Sequence, residues 1–461
     1  MARLGVGPRW WVGVCAGLMI AGCGGKPVSE PESQTPSSGD SSPAPDDRVA
    51  QPPSNQDPTP TPTPPDSSTP TDTISLAPSR WRVSLGQNTV SVATDPNGNA
   101  YALSVDPSLK QGDAVDPPLV LTETDASGKQ LWRQSWTLPG APVQLSAHSL
   151  AISPEGNIFM AYTVDCGASQ SCHLARYTLA TGESVTAWSA ILVKVSPEGK
   201  TTWVRSVYMN GERALGVAVN STGTTLLLTQ ATGGSTALHQ FKWDGTDLGS
   251  MSLGTVTAVA FDPQDYIILG SYGPRIAKFT PDFSALVWSQ GFEGPVSSNG
   301  GWVTDVGVSA KGTVVASGYF RGDYNWGSSA MTGSGTNGQG TFLIVAEADG
   351  TPRWGLTTSS DYNGELTMAV DPTGQVVLAS ALPYAGNRVT VDRYNLAGEH
   401  LWRHQLGNTQ DCGGGWPITR VTSIAIASNH DAILGGAHTG PANIGSGCVS
   451  GNAGFVLDVK P

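Results

Sequence analysis

The chain has 461 residues, enough for two or three domains of average size or for one large domain built from repeats. Only 13% of the residues are charged, whereas 57 are Gly and 33 are Pro. This composition argues against coiled coils and long surface helices and favours many short strands joined by turns. The formal net charge is −12 and no cluster of Lys and Arg occurs, so we expect no nucleic-acid partner.

Residues 1–22 are typical of a signal peptide. Arg3 and Arg9 form a short basic region, and residues 10–22 are uncharged and mostly apolar. A helix needs about 20 apolar residues to cross a bilayer core roughly 30 Å thick, so this stretch is too short for a membrane span. We therefore expect that the chain is exported and that this segment is removed.

The end of this segment resembles the lipobox of bacterial lipoproteins. An apolar residue is followed by the small residues Ala21 and Gly22, and Cys23 supplies the thiol. The resemblance implies cleavage before Cys23 and acylation with more than one chain, which anchors a protein stably. Gly24 follows instead of the Asp that retains many such lipoproteins in the inner membrane. The resemblance thus implies a lipid anchor in the outer membrane, on its periplasmic side or at the cell surface. The alternative is ordinary secretion with a chance cysteine.

Residues 23–75 are predicted to be a disordered linker that begins at the acylated Cys23. Of the 33 prolines, 13 lie between residues 24 and 73, among Ser, Thr and Asp. This stretch has almost no apolar side chains to bury. It therefore cannot offset the conformational entropy that it would lose on becoming ordered. We expect it to act as a tether for the domain that follows.

Residues 76–461 are built from a repeat of two half-units. The first half-unit is an alternating apolar strand, a turn with Pro or Gly and a second strand. Its seven copies span residues 90–103, 149–162, 215–228, 257–270, 304–317, 367–380 and 422–435. The second half-unit interleaves with the first, and its six copies span residues 119–133, 191–205, 237–250, 275–289, 342–355 and 389–403. Radial repetition of four strands predicts a β-propeller.

The seventh copy of the second half-unit is divided between the two ends of this region. The sequence ends in the first strand of such a half-unit, residues 455–461, whereas a matching second strand, residues 79–84, stands at the start. Joining both ends within one blade removes the free edges of the ring. The sequence therefore predicts an all-β, seven-bladed β-propeller that is closed by N- and C-terminal strands sharing the last blade.

A tryptophan recurs in the last strand of the repeat, four residues after a turn glycine. It occurs at Trp132, Trp203, Trp354 and Trp402, with counterparts at Trp81 and Trp288. The third unit has Gly249 at this place. The regular spacing predicts that the rings pack between neighbouring blades.

This Gly-x-x-x-Trp strand resembles the tryptophan-docking repeat of quinoprotein (PQQ) propellers. The fifth unit further resembles the bacterial propeller repeat called SBBP, in residues 318–320, 325–327 and 332–335. The seventh unit repeats part of it in residues 435–436 and 443–445. The resemblance implies a fold and a secreted character, without an agreed activity. No vicinal pair of cysteines accompanies it, so we expect neither PQQ nor another cofactor.

Long connections of variable length all fall between the second and third strands of a blade or between one blade and the next. Antiparallel pairing puts these connections on one face of the ring, called the loop face below. Variable loops on a rigid ring are where binding sites are usually built. Both chain ends meet at a short turn on the opposite face, so we expect the tether to leave from that face.

The loop face is therefore the predicted binding face, with carboxylates and aromatic rings that suit a glycan, a cation or a basic protein segment. The candidate residues are Asp165, Arg321, Asp323, Tyr324, Trp326, Tyr362, Asp411 and Trp416. The alternative is that they are ordinary solvated loop residues.

Four cysteines remain once Cys15 is removed with the signal peptide and Cys23 is acylated. An even number of cysteines in an exported protein predicts disulfides. We predict that Cys166 pairs with Cys172 within one loop and that Cys412 pairs with Cys448 across two connections of the last blade. Only one histidine lies near the first pair, so no metal site is expected.

No catalytic motif was found, whether a nucleophile elbow, a zinc-protease helix or a phosphate-binding loop. We therefore predict a monomeric, non-catalytic binding or scaffold module of the cell envelope, whose partner is an envelope protein or glycan. The alternative is an envelope glycan-active hydrolase or lyase that uses loop-face carboxylates such as Asp323 and Asp361. A purely structural surface protein is a third possibility.

Overall fold

The computed structural model describes residues 75–76, 79–85, 88–105, 119–136, 144–165, 176–178, 184–186, 189–207, 212–294, 300–335, 338–359, 366–382, 388–406, 412, 418–444, 448–449 and 451–460. Within these ranges the regular structure consists of 35 β-strands, numbered β1 to β35 along the chain. No helix among these residues is long and apolar enough to cross a membrane.

Seven four-stranded antiparallel sheets form seven blades, whose strands are called A to D from the centre of the ring outwards. The strands of blades 1 to 3 are β3 (Asn88–Thr94), β4 (Ala100–Val105), β5 (Leu119–Thr124) and β6 (Gln130–Trp136); β7 (Gln144–Ile152), β8 (Ile158–Asp165), β11 (Ser189–Val195) and β12 (Thr201–Val207); and β13 (Arg213–Val219), β14 (Thr225–Gln230), β15 (Thr236–Phe241) and β16 (Asp247–Leu253).

The strands of blades 4 to 7 follow the same A to D order. They are β17 (Val256–Phe261), β18 (Ile267–Ser271), β19 (Arg275–Phe279) and β20 (Leu286–Gly291); β21 (Gly301–Val308), β22 (Val314–Arg321), β25 (Gln339–Ala346) and β26 (Pro352–Ser359); β27 (Leu366–Val370), β28 (Val376–Leu382), β29 (Arg388–Tyr394) and β30 (His400–Leu406); and β31 (Ile418–Ile426), β32 (Ala432–Thr439), β35 (Ala453–Val459) and β2 (Ser79–Leu85).

Three small hairpins lie within B–C connections. They are β9 (Arg176–Thr178) with β10 (Ser184–Thr186) in blade 2, β23 (Asp323–Trp326) with β24 (Ser329–Thr332) in blade 5, and β33 (Ala442–Asn443) with β34 (Cys448–Val449) in blade 7. The remaining strand, β1 (Ser75–Leu76), adds in parallel to β30 at the outer edge of blade 6.

The ring closes through blade 7, as the sequence predicted. The N-terminal strand β2 is the outermost strand of that blade and pairs antiparallel with the C-terminal strand β35, with Leu85 opposite Gly454 and Ser79 opposite Val459. Each A strand contacts the A strands of both neighbouring blades, and β3 contacts β31. The seven-bladed β-propeller with a last blade shared by both chain ends is therefore confirmed.

The recurrent tryptophans join neighbouring blades. Five of them donate an indole N–H to a backbone carbonyl in the C–D turn of the next blade, over 2.8 to 3.1 Å. The pairs are Trp81 with Ala126, Trp132 with Pro197, Trp203 with Trp243, Trp288 with Ala348, and Trp354 with Leu396. These five rings are called the tryptophan belt. Its geometry confirms that the rings pack between blades.

Between blades 3 and 4 the aromatic ring at the boundary belongs to the following blade, whereas in the tryptophan belt it belongs to the preceding blade. Gly249 stands at the tryptophan position of β16, and Phe283 takes the place of the turn glycine in blade 4, with a positive φ of 60°. The Phe283 ring is buried and stacks on Phe279 at 4.5 Å. Gln240 Nε2 donates to the Pro281 carbonyl, 3.2 Å away, where other blades use an indole. The aromatic ring is thus supplied by blade 4 instead of blade 3.

This exchange predicts that the contact between blades 3 and 4 depends on Phe283. Phe283→Gly should lower the free energy of unfolding by about 2 to 4 kcal/mol, because it removes a buried ring while relieving a positive φ. Adding Gly249→Trp to that variant should not restore the loss, because Gly249 has a φ of 114°, which a tryptophan adopts only with strain. Chemical denaturation of Phe283→Gly and of the double variant measures both effects. A loss below about 1 kcal/mol in Phe283→Gly would contradict the exchange.

Candidate binding surface

Much of the predicted binding face lies outside the described residues. This holds for Tyr362, Asp411 and Trp416, for the predicted pair Cys166 and Cys172, and for the acylation site Cys23. Asp165 is the last residue of β8, where that strand ends at the loop face. The loop-face connections that the structure describes best are those of blades 4, 5 and 7.

Three aromatic rings meet on the loop face where blades 4 and 5 adjoin. The ring centroids of Tyr272 and Trp302 are 5.7 Å apart, and those of Trp302 and Tyr319 are 5.1 Å apart. The Tyr272 side chain is 49% exposed, Trp302 is half-buried and Tyr319 is buried. These three rings are called the aromatic row. The exposed fraction decreases from Tyr272 to Trp302 to Tyr319, so the two more buried rings lie behind the Tyr272 ring, which faces solvent.

Backbone pairing holds the aromatic row in place. Tyr272, in the short B–C connection of blade 4, forms an isolated β-bridge with Trp302 at the start of β21. Trp302 lies directly opposite Tyr319 on β22. Gly301 has a φ of 123°, and a Cβ at this position would collide with the Tyr319 carbonyl, so the close approach of these strands requires glycine. The row therefore belongs to the rigid ring.

Arg321 extends the aromatic row towards the rim. It lies two residues after Tyr319 on β22, so both side chains start from the same side of the strand. Its backbone N–H donates to the Gly300 carbonyl at 3.1 Å, and its side chain is exposed. Gln339, the first residue of β25, is paired with Arg321 in the sheet. An aromatic surface with a cation and an amide at one end is suited to bind planar or polar ligands.

Two predicted contact residues are buried, which corrects the expectation that their rings are exposed. Tyr324 and Trp326 are 6% and 1% exposed. Asp323, which precedes Tyr324, and Asn325, which lies between the two rings in sequence, face solvent. The alternation follows from the period of two along β23. Trp326 Nε1 donates to the Val345 carbonyl at 2.9 Å, so the hairpin lies against its blade.

The β23–β24 hairpin of blade 5 packs between blades 4 and 5. Phe292, from the connection between these blades, packs against three rings. Its ring centroid lies 5.6 Å from that of Tyr324, 5.9 Å from that of Trp326 and 4.8 Å from that of Phe342. The corresponding hairpin of blade 7 buries Ile444 in the cluster between blades 6 and 7. Trp326 and Ile444, two of the residues that resemble the SBBP repeat, are therefore packing residues in these hairpins.

The disulfide between Cys412 and Cys448 is confirmed. It joins the connection that enters blade 7 to strand β34 in the same blade, across 36 residues of sequence. The neighbouring His438 is buried, and its Nδ1 lies 3.1 Å from the Gly440 carbonyl. This part of the loop face is thus fixed covalently.

Loss of this disulfide should be costly because it closes a long loop in the unfolded chain. Cys412→Ser with Cys448→Ser is expected to lower the free energy of unfolding by roughly 3 to 4 kcal/mol. Chemical denaturation with and without a reductant measures the effect. The double variant should respond to reductant far less than the unmodified protein does. An equal response of both proteins would show that another cystine carries the stabilisation.

One buried polar cluster on the loop-face side of blade 3 has residue types found in catalytic sites. His239 Nε2 lies 3.1 Å from Glu212 Oε2 and 3.2 Å from Thr229 Oγ1. A nucleophile–base–acid relay uses both ring nitrogens, whereas here both partners meet the same one. All three side chains are buried. The cluster therefore anchors the connection into blade 3.

No group of three or more His, Cys, Asp or Glu side chains that is able to hold a metal ion occurs in the part of the chain that the structure describes. Asp323 is exposed there, whereas its proposed catalytic companion Asp361 lies beyond the described ranges. The spacing of this carboxylate pair thus stays a prediction.

Sequence reasoning missed the aromatic row as a site. Its three rings come from separate segments, and length variation marks only the long connections as binding loops, whereas Tyr272 stands in a short connection. The available signal was Trp302, which lies at the start of the inner strand β21, where an aromatic side chain is close to the loop-face opening of the propeller.

Comparisons with known proteins do not assign a family. No family model and no curated protein matches the chain. Among solved structures, Raptor from Chaetomium thermophilum is 10% identical with a TM-score of 0.49, over 83% of this chain and 29% of the Raptor chain. A protein of unknown function from Bacteroides caccae is 13% identical with a TM-score of 0.38, over 60% of this chain and 84% of that chain. The chain thus spans under a third of the Raptor chain, and such distant likeness carries no argument about function.

Proposed function

We propose that the protein is a lipid-anchored module of the cell envelope that binds a protein or glycan through its loop face, as a non-catalytic scaffold. The observation that carries the proposal is the aromatic row, in which the half-exposed Tyr272 ring is backed by Trp302 and Tyr319. Exposed aromatic rings that are already fixed supply contact area at a small cost in conformational entropy.

The position of the row supports a role in binding. It lies on strands and a short turn of the closed ring, so its geometry does not depend on a long loop. The exposed Arg321 lies beside it in a chain of net charge −12. A ligand with a flat apolar face and an anionic or carbonyl group next to that face fits this arrangement.

The binding proposal is tested by affinity capture from envelope extract, with the bound protein and glycan both identified. The full-length protein is compared with Tyr272→Ala and with Trp243→Ala. Trp243 is a matched control because its ring is 62% exposed but lies in a C–D turn, on the face opposite the loop face. We expect Tyr272→Ala to lower recovery of one partner at least tenfold, while Trp243→Ala recovers it unchanged. Equal recovery by all three proteins would overturn the proposal.

The anchor is tested separately. Cys23→Ala should move the protein from the membrane fraction to the soluble fraction, because it removes the acylated thiol. Cys15→Ala is the matched control, since this cysteine belongs to the predicted signal peptide, and it should leave the protein in the membrane fraction. A Cys23→Ala protein that stays with the membrane would exclude the lipid anchor and leave the binding proposal standing.

A further inference from the structure

Two buried carboxyl groups lie close together where the ring is closed, because Asp458 is paired with Ile433, two residues after Asp431. Asp458, on β35, and Asp431, directly before β32, are 2% and 1% exposed. In each of them one oxygen, Oδ1, has no hydrogen-bond partner. Two ionised carboxylates in such a place repel each other and lack solvation, so one of them holds a proton more readily than an exposed carboxyl group does.

Three of the six other blades have a cation at the position of Asp458, the last but one residue of the C strand. It is Lys194 in blade 2, Lys278 in blade 4 and Arg393 in blade 6. In blade 7 the cation comes from the N-terminal strand instead. Arg80 Nη1, on β2, lies 2.9 Å from Asp431 Oδ2. The strand that closes the ring therefore brings the charge that the carboxyl pair lacks.

The other charged groups around the pair do not replace Arg80. Lys460, directly after β35, and Arg80 both lower the pKa of Asp458, but burial and Asp431 raise it more, to about 7. From blade 6, Arg393 attracts Asp431 and Asp371. His430, in the same turn as Asp431, points to Asp371, with its Nδ1 2.9 Å from Asp371 Oδ2.

We propose that β2 is held in the ring by a proton-dependent clasp, in which Asp458 and Asp431 share one proton and Arg80 pairs with Asp431. The clasp is a conformational device beyond ligand binding, and it does not depend on what the loop face binds. When the shared proton is lost, two buried carboxylates lie beside Arg80, while Arg393 is divided between Asp431 and Asp371, and the attachment of β2 to β35 weakens.

The direction of the pH effect follows from the raised pKa. Because the folded state holds the proton more tightly than the unfolded chain does, the stabilisation is present in acid and is lost as the pH rises through about 7. The amides of β2 should therefore become less protected between pH 5.5 and pH 8.5. We expect their protection factors to fall at least tenfold relative to those of β14, which lies on the far side of the ring.

Hydrogen exchange of the full-length protein, expressed as protection factors to remove the intrinsic pH dependence, tests the clasp. Asp458→Asn should keep β2 protected across this range, because the amide cannot ionise. Asp431→Asn is the second variant if the first fails to fold, and it should flatten the profile in the same way. A wild-type β2 whose protection is flat with pH would overturn the proposal.

Asp305→Asn is the matched control. Asp305 is another acid whose pKa burial raises, here to about 6, and it lies in blade 5, where the Met368 N–H donates to it at 3.1 Å. This variant changes the charge of a comparable group far from β2, so the β2 profile should keep its wild-type pH dependence. A loss of that dependence in Asp305→Asn would mean that global stability is responsible and would overturn the clasp.

Discussion

Replacing Trp354 by Ala is expected to lower the free energy of unfolding by about 3 to 5 kcal/mol. Trp354 is 3% exposed, and its Nε1 donates to the Leu396 carbonyl at 2.8 Å, across the boundary between blades 5 and 6. The substitution leaves a cavity in the cluster that these two blades share and removes a hydrogen bond between them. Chemical denaturation followed by circular dichroism measures the loss.

Trp243→Ala provides the comparison for this substitution. The Trp243 ring is 62% exposed, and the group that serves the tryptophan belt is its backbone carbonyl, which remains in the variant. We therefore expect a loss below about 1 kcal/mol, as for most surface positions. Similar losses at Trp354 and Trp243 would show that the belt does not stabilise the ring.

Asp262→Asn is expected to lower the free energy of unfolding by about 3 to 5 kcal/mol, because it leaves a buried lysine without its counter-charge. Lys278 Nζ lies 2.7 Å from Asp262 Oδ2, and the two side chains are 9% and 0% exposed. The other carboxylate oxygen accepts the backbone N–H groups of Gln264 and Tyr266, and the asparagine oxygen is able to replace it there. The substitution thus removes the charge and keeps the turn.

The effect of Asp262→Asn should depend on the charge of its partner. Combined with Lys278→Met, it should cost clearly less than it does alone, since no buried cation is then left unpaired. A double-mutant cycle from denaturation measurements gives the coupling energy. Additive losses from the two changes would show that the pair contributes nothing beyond its separate side chains.

Much of the fold could be predicted because its signals recur. The strand and turn spacing gave seven blades, and the divided seventh unit gave the closure through β2 and β35. The exchange between Gly249 and Phe283 escaped prediction, since it involves two blades and each residue by itself looks like a departure from the repeat. Tertiary packing decides which side of the boundary supplies the ring.

The site was less accessible to prediction, for two physical reasons. The pattern around Tyr324 and Trp326 is only four residues long, so it indicates alternation but not whether the hairpin stands away from the ring or lies against it. The aromatic row spans 47 positions of sequence, from Tyr272 to Tyr319, and no local pattern marks these residues and Trp302 as neighbours. Pairing between blades brings them together.

The edge position of β2 determines how the ring responds to mechanical load. Tension on the chain before residue 75 reaches β1 first, and this strand is paired with β30 through only two residues. The load then passes to β2, whose seven residues run antiparallel to β35. A force along the axis of β2 loads several of these hydrogen bonds at once, so β1 should detach at low force while the ring stays closed. Detachment of β1 would then lengthen the chain under tension before any strand of the propeller is pulled out.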